Sequence, residues 1–294
     1  MAFSMIVVLA ALALDDKDAG TLDAGQFSKM LGALHSRIRD CEFICGGSVT
    51  FVDPEDPDRS KSERVDKSYQ AIYARRSEDG ARILELYVKP NSSRDQAVRR
   101  RLSILRDHKA YLELDHAYTG MTGSPQRFLY LEFWDDILPK LHAGSYQFQG
   151  WEDIDGHRCA RVVILPEANV PGASSHLLWV DLERGGHVLK HEFRSNGDLW
   201  YAMGNVKLAR ISLRDGKTAW LPVHGEFSSF LNGNQFKLLP VIKEVYDVEE
   251  STIRLNRGFE DDRFAVFHDN SKKAPAFDKL RAEFRATSPG SRTP

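Results

Sequence analysis

His187 and His191, followed by Glu192, have the spacing that on an α-helix brings two imidazoles to one metal ion. Here they flank Val188-Leu189-Lys190 after Gly185-Gly186, which reads as a turn and a strand. At strand rise the two rings lie about 13 Å apart, too far to share an ion that needs each nitrogen at about 2.1 Å. They are expected to be two surface histidines on one strand face. His157-Arg158-Cys159 sets an imidazole two residues from a thiol. Side chains at that spacing on a strand point in parallel, with no turn or helix N-terminus at hand to lower the thiol pKa. Cys159 is therefore expected in the core. Glu85, Glu113 and Glu192 fall within strand-like runs and would do acid–base work only by converging in one cleft. Asp79, Asp155 and Asp215 each precede a glycine, and turn geometry explains them without catalysis. The sequence contains no Gly-x-Ser-x-Gly, no phosphate-binding loop and no dinucleotide fingerprint. No catalytic residue, metal ligand or cofactor is expected.

The elements that must position these residues are mainly strands. Asp79-Gly80, Asp155-Gly156, Asn196-Gly197, Asp215-Gly216 and Asn232-Gly233 each separate two runs of β-forming residues. Such dipeptides reach positive φ at low cost, and the tight turns they form match the twist of paired strands. Five of them predict an antiparallel meander, and 183–186 reads as a further turn of another type. The run 41–52 alternates, with Cys41, Phe43, Cys45, Val49 and Phe51 on one face. Cys41 and Cys45 are then about 13 Å apart and cannot bridge each other. Two readings remain: one of them meets Cys159 across the sheet, or all three serve as small buried apolar residues.

Besides one short helix over 277–284 in the tail, helices are expected at three places. Phe27, Met30, Leu31, Leu34 and Ile38 share one face of a helix over 26–38, which must dock on the sheet to persist. Ser124-Pro125 opens a second, whose face carries Phe128, Leu131, Trp134 and Leu138 and which Pro139 ends or kinks. Over 94–106, Val98, Leu102 and Leu105 recur at helical spacing beside Arg94, Arg99, Arg100, Arg101 and Arg106. This segment is read as a solvated helical connector, with contact to an anionic membrane surface as the alternative.

The apolar run 5–14, ending in Ala11-Leu12-Ala13, has the length of a signal-peptide core and is too short to span a bilayer. A buried N-terminal strand is the alternative. Residues 1–20 are read as signal peptide and leader, 21–270 as one domain and 271–294 as a polar tail, partly disordered. The expected location is the periplasm or cell envelope. With 294 residues, 42% of them hydrophobic, the chain can build a sizeable core, and a net charge of −2 gives no reason to expect nucleic acid as a partner.

The order of these elements, together with 151–162, Leu178-Trp179-Val180-Asp181, Gly185-Gly186, Trp220-Leu221-Pro222 and 253–264, resembles the LolA-like/LolB-like lipoprotein carrier superfamily over about residues 26–269. The resemblance implies a mainly β, α+β fold: a curved antiparallel half-barrel wrapped round amphipathic helices. It further implies an apolar cavity that accepts a lipid or a lipoprotein acyl chain. Candidates for the cavity lining are Phe43, Phe51, Phe128, Leu131, Trp134 and Trp179, with a filled core as the alternative reading of the same aromatics. A non-enzymatic lipid binder is thus the leading expectation. An envelope interaction module without lipid comes next, and a hydrolase last.

Overall fold

The computed structural model describes residues 21–51, 64–78, 81–90, 99–106, 109–114, 133–134, 137–142, 144–165, 174–230 and 240–258. Helix α1 (Ala24–His35) opens at Asp23, whose carboxylate accepts from Gln26 N at 2.8 Å while Gln26 Oε1 accepts from Asp23 N. That reciprocal cap satisfies two orphan amide groups and starts the helix two residues before the apolar face predicts. The helix stops at His35, and Ile38 is buried beyond it. Ala24, Phe27 and Leu31 form the buried stripe.

Thirteen strands form one antiparallel sheet in two meanders. β1 (Asp40–Phe51), β2 (Arg64–Arg76), β3 (Arg82–Pro90), β4 (Arg99–Arg106) and β5 (Lys109–Leu114) make the first. β6 (Tyr146–Ile154), β7 (His157–Ile164), β8 (Ser175–Asp181), β9 (His187–Ser195), β10 (Asp198–Ser212), β11 (Thr218–Phe230) and β12 (Pro240–Val248) make the second. The pairing of β1 with β12 joins them, and the short β13 (Arg254–Leu255) pairs with the start of β1. The sheet is open, with β5 and β6 at its ends. Yet residues from β1, β2 and β6 to β11 share one core with α1, so the sheet must curl round that helix. Register shifts in β2, β6, β9, β10, β11 and β12 supply extra twist for the curl.

The turn chemistry acts as its residues predict. Asp155 (φ 53°) with Gly156 (φ 79°), and Asn196 (φ 52°) with Gly197 (φ 82°), are two-residue turns with both centres left-handed. At Asp215-Gly216 only the glycine is left-handed (φ 79°), and the Leu213 and Lys217 backbones close a longer loop. Asp79-Gly80 and Asn232-Gly233 lie outside the described residues, as do the whole of 1–20 and 259–294.

One element differs in kind from the sequence reading. The basic segment was expected to be helical, but Arg99–Arg106 is strand β4, paired with β3 and β5. Leu102 and Leu105 fit helical spacing, yet Leu102 and Ile104 fit alternation equally well. Two available neighbours decide the matter, because pairing satisfies every backbone group of an eight-residue strand. Arg94 lies outside the described residues. Of the predicted helix after Ser124, residues 124–132 are likewise outside. Residues 133, 134 and 137 are helical, and Leu138–Lys140 forms a 3-10 turn with Pro139 inside it.

Candidate functional site

The inner face of β8 to β11 is built from two rows of directly opposed residues. One row runs Ile164, His176, Phe193, Tyr201; the next runs Val162, Leu178, His191, Met203, Phe227 and Glu244. Opposed residues share a face, so both rows look toward α1. Phe133 lies over them, with ring centroids 5.1 Å from His176 and 6.3 Å from His191.

These rings continue one another. Tyr146 meets Phe27 at 5.0 Å, Phe27 meets Trp134 at 5.8 Å, and Trp134 meets Phe133 at 5.0 Å. From there the contacts run through His176 to Phe193 (4.9 Å), Tyr201 (4.9 Å) and Phe227 (5.1 Å). The chain of eight rings changes in exposure along its length. Phe27 and Trp134 are wholly buried, whereas Phe133, His176, Phe193 and Tyr201 are half-buried. Aromatic surface that is contiguous and only half covered is the ordinary material of a ligand site.

Two polar groups sit in that apolar strip and touch each other: His176 Nδ1 lies 3.0 Å from His191 Nε2. One ring donates to the other, so at least one nitrogen of the pair is unprotonated. Burial pushes His176 down to about 4, and burial together with the neighbouring His176 pushes His191 well below its usual value. A second histidine pair lies at the end of the β8–β9 turn. His187 Nε2 donates to the Trp220 carbonyl at 2.7 Å, and the His35 ring of α1 stacks on it at 6.5 Å. Burial pushes His187 to about 4, and burial plus His187 pushes His35 to about 3.

His187 and His191 are therefore not the surface pair expected: each is 2% exposed. The sequence reading took β9 to be regular, with one wet face. A register shift between Trp179 and Val180 and the fold of the turn onto α1 bury both rings. They belong to different neighbourhoods, and among the described residues no three His, Cys, Asp or Glu side chains gather to hold a metal ion.

Four neutral imidazoles, His187 and His191 buried and His35 and His176 half-buried, make stability depend on pH. Their folded values lie below the unfolded value of about 6.5, so the unfolded chain takes up protons first. Their contribution is complete above pH 6.5 and is lost as pH falls toward 4. Each such histidine contributes a slope of up to about 1.4 kcal/mol per pH unit in that window. Urea midpoints measured between pH 7.5 and 4.5 should fall steadily below pH 6.5; a flat profile would contradict the burial of these rings.

The remaining sequence candidates separate clearly. Phe43 and Trp134 are wholly buried in the core, Phe43 against Tyr73 at 5.4 Å. Phe51, at the end of β1, is 40% exposed, and Phe128 and Leu131 lie outside the described residues. Trp179 neighbours Leu178 and so faces the other way, beneath Lys190 (4.1 Å to the ring) and Arg161 (5.5 Å). Cys41, Cys45 and Cys159 are free and buried, and burial lifts the Cys159 thiol to about 12, which leaves it protonated and a poor nucleophile. Glu85 in β3 and Glu113 in β5 lie either side of Leu102, while Glu192 sits in β9 between Lys190 and Arg194. The three do not converge. Phe133, His176, Phe193, Tyr201 and Phe227 were not singled out from the sequence, because register shifts rather than spacing bring them together.

The sequence matches no family model and no curated protein. Solved structures do match. A DUF1329 family protein from Desulfovibrio piger superposes with a TM-score of 0.50 at 11% identity, over 83% of this chain and 97% of that one. A putative outer membrane lipoprotein-sorting protein domain from Vibrio parahaemolyticus gives 0.47 at 10% identity, over 82% and 97%. A LolA superfamily protein from Nitrosomonas europaea gives 0.45 at 15% identity, over 83% and 98%. Identities this low speak to fold alone. At that level the chain shares its fold with the DUF1329 family protein.

Proposed function

We propose that this protein is an exported, non-enzymatic binder of an apolar ligand of the acyl-chain kind, held against the half-buried rings of β8 to β10. The observation that carries the reading is the continuous ring chain, buried at Phe27 and Trp134 and half-open at Phe133, His176, Phe193 and Tyr201. A purely structural core would be covered along its whole length, whereas a hydrocarbon chain laid on the open part would complete it. Each buried methylene of such a ligand contributes about 0.8 kcal/mol, so a long acyl chain binds usefully even after the cost of ordering. In this reading residues 1–20 are the export leader, 21–270 the binding domain and 271–294 a polar tail. The basic segment that holds Arg94, Arg99, Arg100, Arg101 and Arg106 is the part of the chain that approaches an anionic membrane surface.

The test has two parts. Lipids extracted from the purified full chain are identified by mass spectrometry, and the delipidated protein is titrated with the neutral dye N-phenyl-1-naphthylamine. Co-purifying acyl lipid and saturable dye enhancement that added lipid reverses are the expected results. A lipid-free preparation that leaves the dye dark would sink the proposal. It would turn attention to the exposed Phe51 and Trp200 as contacts for a protein partner.

A further inference from the structure

The two histidines in the strip give it a polar point inside an aromatic wall. His176 Nδ1 is occupied by His191 Nε2, at 3.0 Å. With Nδ1 taken, Nε2 is the ring nitrogen left to a ligand on this half-buried side chain. The surroundings of that nitrogen are apolar: Phe133 at 5.1 Å and Phe193 at 4.9 Å from the ring. The cations of β9 do not serve it, since Lys190 and Arg194 point to the opposite face and pair with Glu192 there.

We propose that His176 Nε2 hydrogen-bonds the uncharged oxygen of the ligand's head, an ester carbonyl or a hydroxyl, and that the strip thereby selects neutral acyl lipids over anionic ones. This rests on the acyl-binding reading above and deepens it. The paired imidazoles serve either kind of oxygen. With the shared proton on His176 Nδ1, the outer Nε2 accepts from a hydroxyl; with it on His191 Nε2, His176 carries its own proton on Nε2 and donates to a carbonyl. A carboxylate or phosphate gains one such bond at most. It must also leave water with no cation from β9 beside it. Discrimination is therefore built from one satisfied hydrogen bond and one desolvation cost.

The experiment displaces N-phenyl-1-naphthylamine from the full chain at pH 7.5 with monopalmitoylglycerol and with palmitate, which share a tail and differ in head. The glycerol ester is expected to displace the dye about tenfold more effectively. In His176→Phe that ratio should fall to within about twofold, and His176→Gln, which keeps a donor and an acceptor, should recover part of it. In the unmodified protein the imidazole 15N signals of His176 should move on addition of monopalmitoylglycerol, a reading that does not depend on any variant folding. Equal displacement by the two lipids, preference for palmitate, an unchanged ratio in His176→Phe or static His176 signals would each overturn the inference while leaving acyl binding intact. Failure of the dye and of both lipids to bind would overturn both.

Discussion

Gly47→Ala is expected to destabilise the protein by about 3 kcal/mol or more, the sum of an overpacked contact and a lost hydrogen bond. Gly47 stands in β1 opposite Tyr69 on one side and Tyr246 on the other. The missing side chain lets the Tyr69 phenol cross the β1 backbone and donate to the Val245 carbonyl at 3.1 Å. A Cβ on residue 47 would overlap that carbonyl oxygen and lie 2.6 Å from the Tyr69 hydroxyl. The obstacle is backbone, so no rotamer change relieves it, and the strand that must move is the one joining the two meanders. Gly32→Ala is the control. Its Cβ would meet nothing within 4 Å, on an exposed position of α1, so this change should stabilise by about 0.5–1 kcal/mol through helix propensity. Urea unfolding of the two variants beside the parent decides the point. A Gly47→Ala midpoint near that of the parent would mean that β1 and β12 are not packed as described.

The architecture was open to sequence reasoning because turns and alternation are local. Asp155-Gly156 and Asn196-Gly197 carry their geometry in two residues, and the α1 face repeats over three turns. The site was not, and the reason is register. Asn196-Gly197 sets Ser195 against Asp198, and regular pairing from there would put Phe193 against Trp200. A shift between Leu199 and Tyr201 puts Phe193 against Tyr201 instead. That single extra residue turns Tyr201 inward to stack on Phe193 and leaves Trp200 46% exposed. The shift between Trp179 and Val180 does the same for the pairing that brings His176 to Phe193. Bulges of this kind have no residue signature at these positions, so the aromatic row could not be assembled from spacing. The segment Arg99–Arg106 failed for a related reason: two periodicities fit its few apolar residues, and only the neighbouring strands choose between them.

Trp134 is where the buried and half-open parts of the ring chain meet, and Trp134→Ala is the change expected to act on both. The indole is wholly buried and packs edge-on against Phe27, Phe133 and His35, at centroid distances of 5.8, 5.0 and 6.3 Å. It comes from the connection between β5 and β6, so its contacts tie that connection to α1 as well as filling the core. Removing it should cost about 3–5 kcal/mol, the usual range for a buried tryptophan cut to alanine. Trp134→Phe should cost much less than its loss of volume implies. The indole Nε1 is buried without a hydrogen-bond partner, and phenylalanine removes that unsatisfied donor. Binding separates the two variants further. With alanine, Phe133 loses the ring that backs it above His176, so the wall presented to an apolar ligand softens and dye affinity should drop about tenfold or more. With phenylalanine the backing ring remains and affinity should stay within about threefold of the parent, a difference of under about 1 kcal/mol. Thermal unfolding and N-phenyl-1-naphthylamine titration of both variants, run at a temperature where each is folded, give the two readings. Stability loss without loss of dye affinity in Trp134→Ala would place the ligand away from Phe133 and detach the site from the ring chain.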